Sequence, residues 1–234
     1  MFEIISYETV PYGVSLVDCV EKISKQIYII YYGINHYGKI SYRCNLSLQR
    51  DKKILLTVGN CVAITGHRYL IEAMKKIHKE SSDAFCSILG SGELYPKEKE
   101  LVAQIGLLDC IWMVGGKPHE EIPLWMNACD VFVLPSLNEG NPTVLMETLG
   151  CGKPFIGTRV DGVPEMICSE EYGLLCDAGG GKGLVRCINS ALDVDWDSDK
   201  IWDYARNYTW KTICKNIFRI YLRIFMIKDT YGER

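Results

Sequence analysis

The chain has 234 residues, 48% apolar, 24% charged and 11% aromatic, with a formal net charge of −3. That length and composition fit one large soluble domain, or one and a half, and exclude intrinsic disorder, collagen and coiled coil. A slightly acidic chain has no global positive field to draw nucleic acid, and its longest apolar runs (residues 27–32 and 131–135) fall far short of the ~20 residues that span a bilayer.

In chain order, residues 16–23 read as a helix and residues 27–32 as an apolar run, followed by a turn-rich segment to about residue 50. From there, short apolar runs alternate with helical patterns. Lys53–Val58, residues 85–89, 110–114, Val131–Leu134 and residues 154–157 have the near-continuous apolar character of strands buried on both faces of a parallel sheet. Between them, residues 66–79, 96–105, 120–128 and 142–149 are helical. In the first, Tyr69, Leu70, Ala73, Met74 and Ile77 recur at 3–4 spacing. This rhythm predicts an α/β fold with a doubly wound, parallel, Rossmann-like sheet. Residues 201–225 are helical in pattern, with a break near 207–209.

The start Met1-Phe2-Glu3 has neither the basic nor the apolar region of a secretory leader, so a cytoplasmic chain is expected. The eleven cysteines are never closer than eight residues apart, so there is no C-x-x-C pair. Cys86, Cys110 and Cys129 lie beside strand-like runs, where a free thiol acts as a small hydrophobe, and the odd count fits a reducing compartment. These thiols read as buried side chains rather than zinc ligands.

Residues 131–147 carry the most information. An apolar strand ends at Pro135, a polar loop follows, and a helix starts near Pro142 with Asn141 placed as its N-cap. Free amides at that helix start, next to Gly140, make an anion site suited to phosphate, at the carboxyl end of a strand where open α/β sheets bind ligands. Glu139 and Glu147 bracket it. A carboxylate accepts hydrogen bonds from vicinal hydroxyls, so the pair is placed to hold a sugar and a ribose on either side of a diphosphate. A capped helix with a solvated glutamate is the alternative.

Glu139 through Glu147 resembles the E-x7-E motif of retaining GT-B glycosyltransferases of family 4, the glycosyl transferases group 1. The blocks Val58-Gly59-Asn60 with Gly66 to Ala73, Leu89-Gly90-Ser91-Gly92-Glu93, Gly115 to Asp130, Gly150 to Pro154 and Asp161 to Glu165 are similar to further family segments, in the family's order, over residues 53–215. The resemblance implies the C-terminal, donor-binding half of a GT-B fold. It implies Glu139 as the catalytic residue on the transferred sugar and Glu147 on the ribose. Gly140, Asn141, Pro142, Thr143 and Val144 would present backbone to sugar and phosphate. Gly59, Asn60 and Thr65 would face the diphosphate, and Val114 to Lys117 the base. The family needs no metal for its chemistry, and its donor is a nucleotide diphosphate sugar acting as substrate, with no cofactor.

Two departures stand out. The family often has Arg at the Asn60 position and usually Lys at the Thr65 position, both aimed at the diphosphate. A charge-assisted hydrogen bond contributes about 1.5–3 kcal/mol, so losing one slows diphosphate departure roughly 10- to 150-fold unless Arg68 or Lys153 compensates. The acceptor-side domain is represented only by residues 14–35, which resemble its last helix and strand. The expected organisation is an acceptor-side remnant and linker (1–50), a nucleotide-sugar-binding domain (51–197) and C-terminal amphipathic helices (198–234).

Other motifs have plainer readings. The acidic run Asp193 to Asp199 lacks the glycine and glutamate of an EF-hand and reads as a helix-capping loop. Gly179 to Gly183 lacks the Ser or Thr of a P-loop and reads as a turn before a helix. His119 reads as a helix-start residue, since no carboxylate is placed by sequence to orient it. Lys211, Lys215, Arg219 and Arg223 form a basic stripe beside Ile213, Ile217, Phe218, Tyr221 and Leu222. That face suits packing on residues 1–50, a separate N-terminal-domain subunit, or peripheral contact with the inner face of a membrane.

The expected function is therefore hexosyl transfer from a nucleotide-sugar to a glycan or lipid-linked acceptor. The alternative is a truncated, inactive domain that binds nucleotide-sugar or a protein. A sugar-nucleotide epimerase fits the block order less well.

Overall fold

The computed structural model describes residues 39–209 and 212–221. The helix and strand expected within residues 14–35, and Lys211, Leu222 and Arg223 of the basic stripe, lie outside the described residues.

Six strands form one sheet: β1 (Lys53–Val58), β2 (Ala84–Leu89), β3 (Ile111–Gly115), β4 (Val131–Leu134), β5 (Phe155–Thr158) and β6 (Gly173–Cys176). Their order is β3-β2-β1-β4-β5-β6, with every neighbouring pair parallel. The helices are α1 (Lys39–Asn45), α2 (His67–Glu80), α3 (Tyr95–Gln104), α4 (Ile122–Ala128), α5 (Thr143–Gly150), α6 (Val163–Met166), α7 (Gly181–Asp193) and α8 (Ser198–Ala205).

Because side chains alternate along a strand, each strand feeds two cores. On one face Leu55, Val131, Val133 and Ile156 meet Leu70, Met74 and Ile77 of α2 and Leu184 and Ile188 of α7. On the other, Ile54, Leu56, Phe132 and Phe155 meet Trp125 and Met126 of α4, Leu145 and Leu149 of α5, and Ile201 of α8. Burial on both faces explains the unbroken apolar runs, and the doubly wound Rossmann-like sheet is as the sequence predicts. The order reverses between β1 and β4, which leaves a crevice at their carboxyl ends.

Three elements were not anticipated. β6 has four residues and opens on a glycine, α6 is a single turn, and α1 lies in the segment read as turn-rich. Arg43 explains α1. Its guanidinium is buried and donates to the carbonyls of Ala128 (2.9 Å), Arg50 (2.8 Å) and Lys52 (3.0 Å) and to Asp130 (2.5 Å). Asp130 also accepts from the Ile54 amide at 2.6 Å and pairs with Lys39. One fork thus joins α1 to the end of α4 and the start of β1.

Asp197 caps α8 by accepting from the Lys200 amide at 3.0 Å, so the acidic run is a helix start, and the glycine run leads into α7. Every described cysteine is free, and Cys61, Cys86, Cys110, Cys129, Cys151 and Cys176 are buried. Burial pushes the thiols of Cys129 and Cys151 up to about 11 and about 12, which keeps them protonated. Residues 212–221 are helical, and Ile217, Ile220 and Tyr221 are exposed there beside Lys215 and Arg219. Among the described residues, no helix is long and apolar enough to cross a membrane.

Candidate functional site

The loops that follow β1, β3 and β4 emerge on the carboxyl edge of the sheet and carry every residue singled out above as donor-binding, apart from Val114 in β3 and Glu147 and its neighbours in α5. The β1 and β4 loops meet at the crevice. The Leu137 amide donates to the Ile64 carbonyl at 2.7 Å, and a Cβ on Gly66 would stand 2.2 Å from the Pro135 carbonyl oxygen. The β2 loop is tied in by the Cys61 amide to the Ser91 carbonyl (3.0 Å) and the Leu94 amide to the Cys61 carbonyl (2.9 Å).

Helix α5 starts at Thr143, with Pro142 as its N-cap in extended conformation and no side-chain cap hydrogen bond. The sequence placed Asn141 as the cap and Pro142 in the first turn. The shift is one residue, because a proline's fixed φ suits either side of the boundary. The first-turn amides, at Thr143 and Val144, therefore have no side-chain acceptor, the condition for an anion site. Gly140, Asn141 and Thr143 are exposed beside them.

Glu139 is held from two sides. Its carboxylate accepts from the buried Ser136 hydroxyl at 2.6 Å, and its amide donates to the Asp161 carboxylate at 2.8 Å. Ser136 is anchored in turn, its carbonyl accepting from Thr158 of β5 at 2.5 Å. Asp161 has φ 42°, a left-handed conformation costly for a residue with a side chain. Such strain persists only where the surroundings enforce it, and here the β5–α6 loop presents the carboxylate that fixes the Glu139 backbone.

Glu147, on the second turn of α5, has a side chain only 15% exposed, with His119 Nε2 3.7 Å from its carboxylate. His119 opens a 3-10 turn (His119–Glu121), so its helix-start reading holds; its carboxylate partner, 28 positions along the chain, was invisible to spacing. Burial raises the Glu147 carboxyl above the usual range, and the His119 charge opposes that shift. The charged form is thus disfavoured on folding, and the associated cost is present above the folded pKa and relieved as pH falls through it. Glu147→Gln is accordingly expected to raise the thermal midpoint at pH 7. The gap over the unmodified chain should close below the ordinary glutamate pKa of about 4.3, a pattern that parallel melts across pH will read.

The remaining residues divide. Thr65 is buried, its hydroxyl donating to the Asn60 carbonyl at 2.7 Å and its methyl set against Gly59, so it braces the loop. Asn60 is exposed. Val114 is half-buried at the end of β3, and Lys117 beyond it stands 3.6 Å from Glu121. Neither proposed replacement for the missing cations reaches the crevice. Arg68 is exposed and paired with Glu72 one turn on, at 2.7 Å. Lys153 precedes β5 on the opposite edge of the sheet, where burial lowers its pKa. Sequence position alone gave neither side chain a direction.

A parallel sheet of this order, with its loops gathered at the switch point, defines a Rossmann-like α/β architecture. The family model for glycosyl transferases group 1 matches residues 40–208, and the chain belongs to that family. It is 32% identical over 140 residues to the amylovoran biosynthesis glycosyltransferase AmsK of Erwinia amylovora, covering 57% of this chain and 34% of AmsK. Sucrose-phosphate synthase from Thermosynechococcus elongatus superposes with a TM-score of 0.71 at 25% identity, covering 82% of this chain and 50% of that one. Anabaena HepE, solved in complex with UDP, superposes with a TM-score of 0.67 at 19% identity, covering 76% of this chain and 50% of that one. The chain thus spans between a third and a half of the length of these relatives, and its structural neighbours are GT-B glycosyltransferases.

Proposed function

We propose that the chain is the donor-binding half of a retaining GT-B glycosyltransferase, moving a hexose from a nucleotide diphosphate sugar to a hydroxyl of a glycan or lipid-linked acceptor in polysaccharide or glycolipid synthesis. The observation that carries this reading is the uncapped start of α5 at the sheet's switch point, bracketed by Glu139 on the loop and Glu147 on the helix. The UDP bound by HepE and the amylovoran biosynthesis named for AmsK support it.

In this reading the amides of residues 140–144 receive the diphosphate, Glu147 accepts from the ribose hydroxyls, and Glu139 accepts from the hexose. Val114 to Lys117 offer main chain to the base. The acceptor hydroxyl attacks the anomeric carbon on the face the nucleotide diphosphate leaves, so the protein's part is to position partners and stabilise departing charge. The acceptor side comes from an N-terminal domain or subunit. The exposed Ile217, Ile220 and Tyr221 offer that subunit, or a membrane inner face, an apolar surface. An inactive binding domain is the second reading, favoured by one observation: Thr65, where the family usually has lysine, spends its hydroxyl on Asn60.

Calorimetric titration with UDP, GDP and ADP tests donor binding. One nucleotide should bind, and Glu147→Ala should weaken it about 10- to 150-fold, the worth of a charge-assisted hydrogen bond. No heat with any of the three contradicts the proposal. Turnover after adding an N-terminal half then separates the enzyme from the inactive domain.

A further inference from the structure

Beneath the β1–α2 loop three side chains of metal-binding type meet: Cys61 from the loop, His67 at the start of α2 and Glu98 on α3. All are buried, with relative exposures of 0%, 0% and 5%. One donor atom from each lies within 4.8 Å of the other two. We propose that this cluster is a zinc site that pins the loop to both helices, separate from the transfer chemistry.

The geometry favours coordination over a simple ion pair. His67 Nδ1 and Glu98 Oε2 are 3.4 Å apart, longer than the roughly 2.7–2.9 Å of a charge-assisted hydrogen bond. Nitrogen and oxygen ligands about 2.0–2.2 Å from a tetrahedral zinc stand roughly 3.3–3.6 Å from one another, which is the separation of this His67–Glu98 pair. The donor set also selects the metal. A thiolate with an imidazole and a carboxylate suits zinc, whereas magnesium and calcium prefer all-oxygen shells.

Glu98 is the shared partner, hydrogen-bonded to the Cys61 thiol and facing His67 Nδ1 at 3.4 Å, so the three donors converge on one point. His67 Nε2, the ring nitrogen away from Glu98, is fully buried without a hydrogen-bond partner, so the imidazole is held through Nδ1 alone. Burying an imidazole and a carboxylate beside a thiol is expensive, and a cation shared by all three offsets that cost. The spacing 61, 67 and 98 contains no C-x-x-C, so the sequence signal for zinc was silent. Residues 59–65 line the donor crevice above the cluster, but the inference stands without the donor reading and fails or holds separately from it.

Elemental analysis of the full chain, purified without chelator, should find about one zinc per chain, lost in Cys61→Ser and in His67→Ala. Cobalt added to the metal-stripped chain should produce a thiolate-to-cobalt charge-transfer band that Cys61→Ser lacks. This readout on the unmodified chain does not depend on how well a variant folds. Chelator should lower the thermal midpoint of the unmodified chain and leave that of Cys61→Ser unchanged. Absence of zinc together with absence of the cobalt band overturns the site, and a band that persists in Cys61→Ser assigns binding to other thiols and overturns it equally.

Discussion

Gly66→Ala is expected to cost about 2–5 kcal/mol, the sum of roughly 1–2 kcal/mol for a side chain in the left-handed region and about 1–3 kcal/mol for a steric clash. Gly66 has φ 70°, and the added Cβ would lie 2.2 Å from the Pro135 carbonyl oxygen, a backbone atom held where the β1 and β4 loops meet. Relief requires one loop to withdraw from the other, so the variant should lose stability and open the crevice together. For a chain of this size the thermal midpoint should fall by roughly 4–20 °C. Gly106 supplies the control. Its φ is 73° and nothing lies within 4 Å of an added Cβ, so Gly106→Ala should show only the conformational part, about 1–2 kcal/mol. Equal losses in the two variants would mean that the loop contact contributes nothing.

Arg43→Ala is expected to cost about 3–5 kcal/mol, because it removes the buried guanidinium's pairing with Asp130 and leaves three carbonyls without their donor. Lys39 pairs with the same carboxylate but is 42% exposed, so Lys39→Ala should cost less than about 1 kcal/mol. Urea midpoints of the two variants make the comparison. If Arg43→Ala is as mild as Lys39→Ala, α1 does not hold the ends of β1 and α4 as described.

How much of this was legible in the sequence follows from where each signal resides. β1 and β4 were read with their observed bounds, and β2, β3 and β5 to within a residue, because strands buried on both faces write a continuous apolar run. β6 (GLLC) and α6 (VPEM) were missed because four residues are too few for any period to show. Arg43 lies in the segment read as turn-rich, and its burial depends on carbonyls from two separate places in the chain, Arg50 with Lys52 and Ala128. At the site, Glu139, Glu147 and the helix start were legible from local pattern. The partners that hold them were not. Ser136 is near Glu139, but nothing local tells that its hydroxyl turns toward it. Asp161 meets Glu139, His119 meets Glu147, and Cys61 and His67 meet Glu98 only after the segments that follow β1, β2, β3, β4 and β5 have come together. Arg68 failed as a replacement cation because its helix face points it at Glu72.

Donor recognition requires a diphosphate at the start of α5 between two carboxylates. A crystal structure of the chain with bound UDP tests this most directly. The diphosphate should lie against the amides of residues 140–144, with ribose hydroxyls on Glu147 and with Glu139 facing the terminal phosphate side. Nucleotide bound elsewhere, or Glu147 turned away from the ribose, would contradict it.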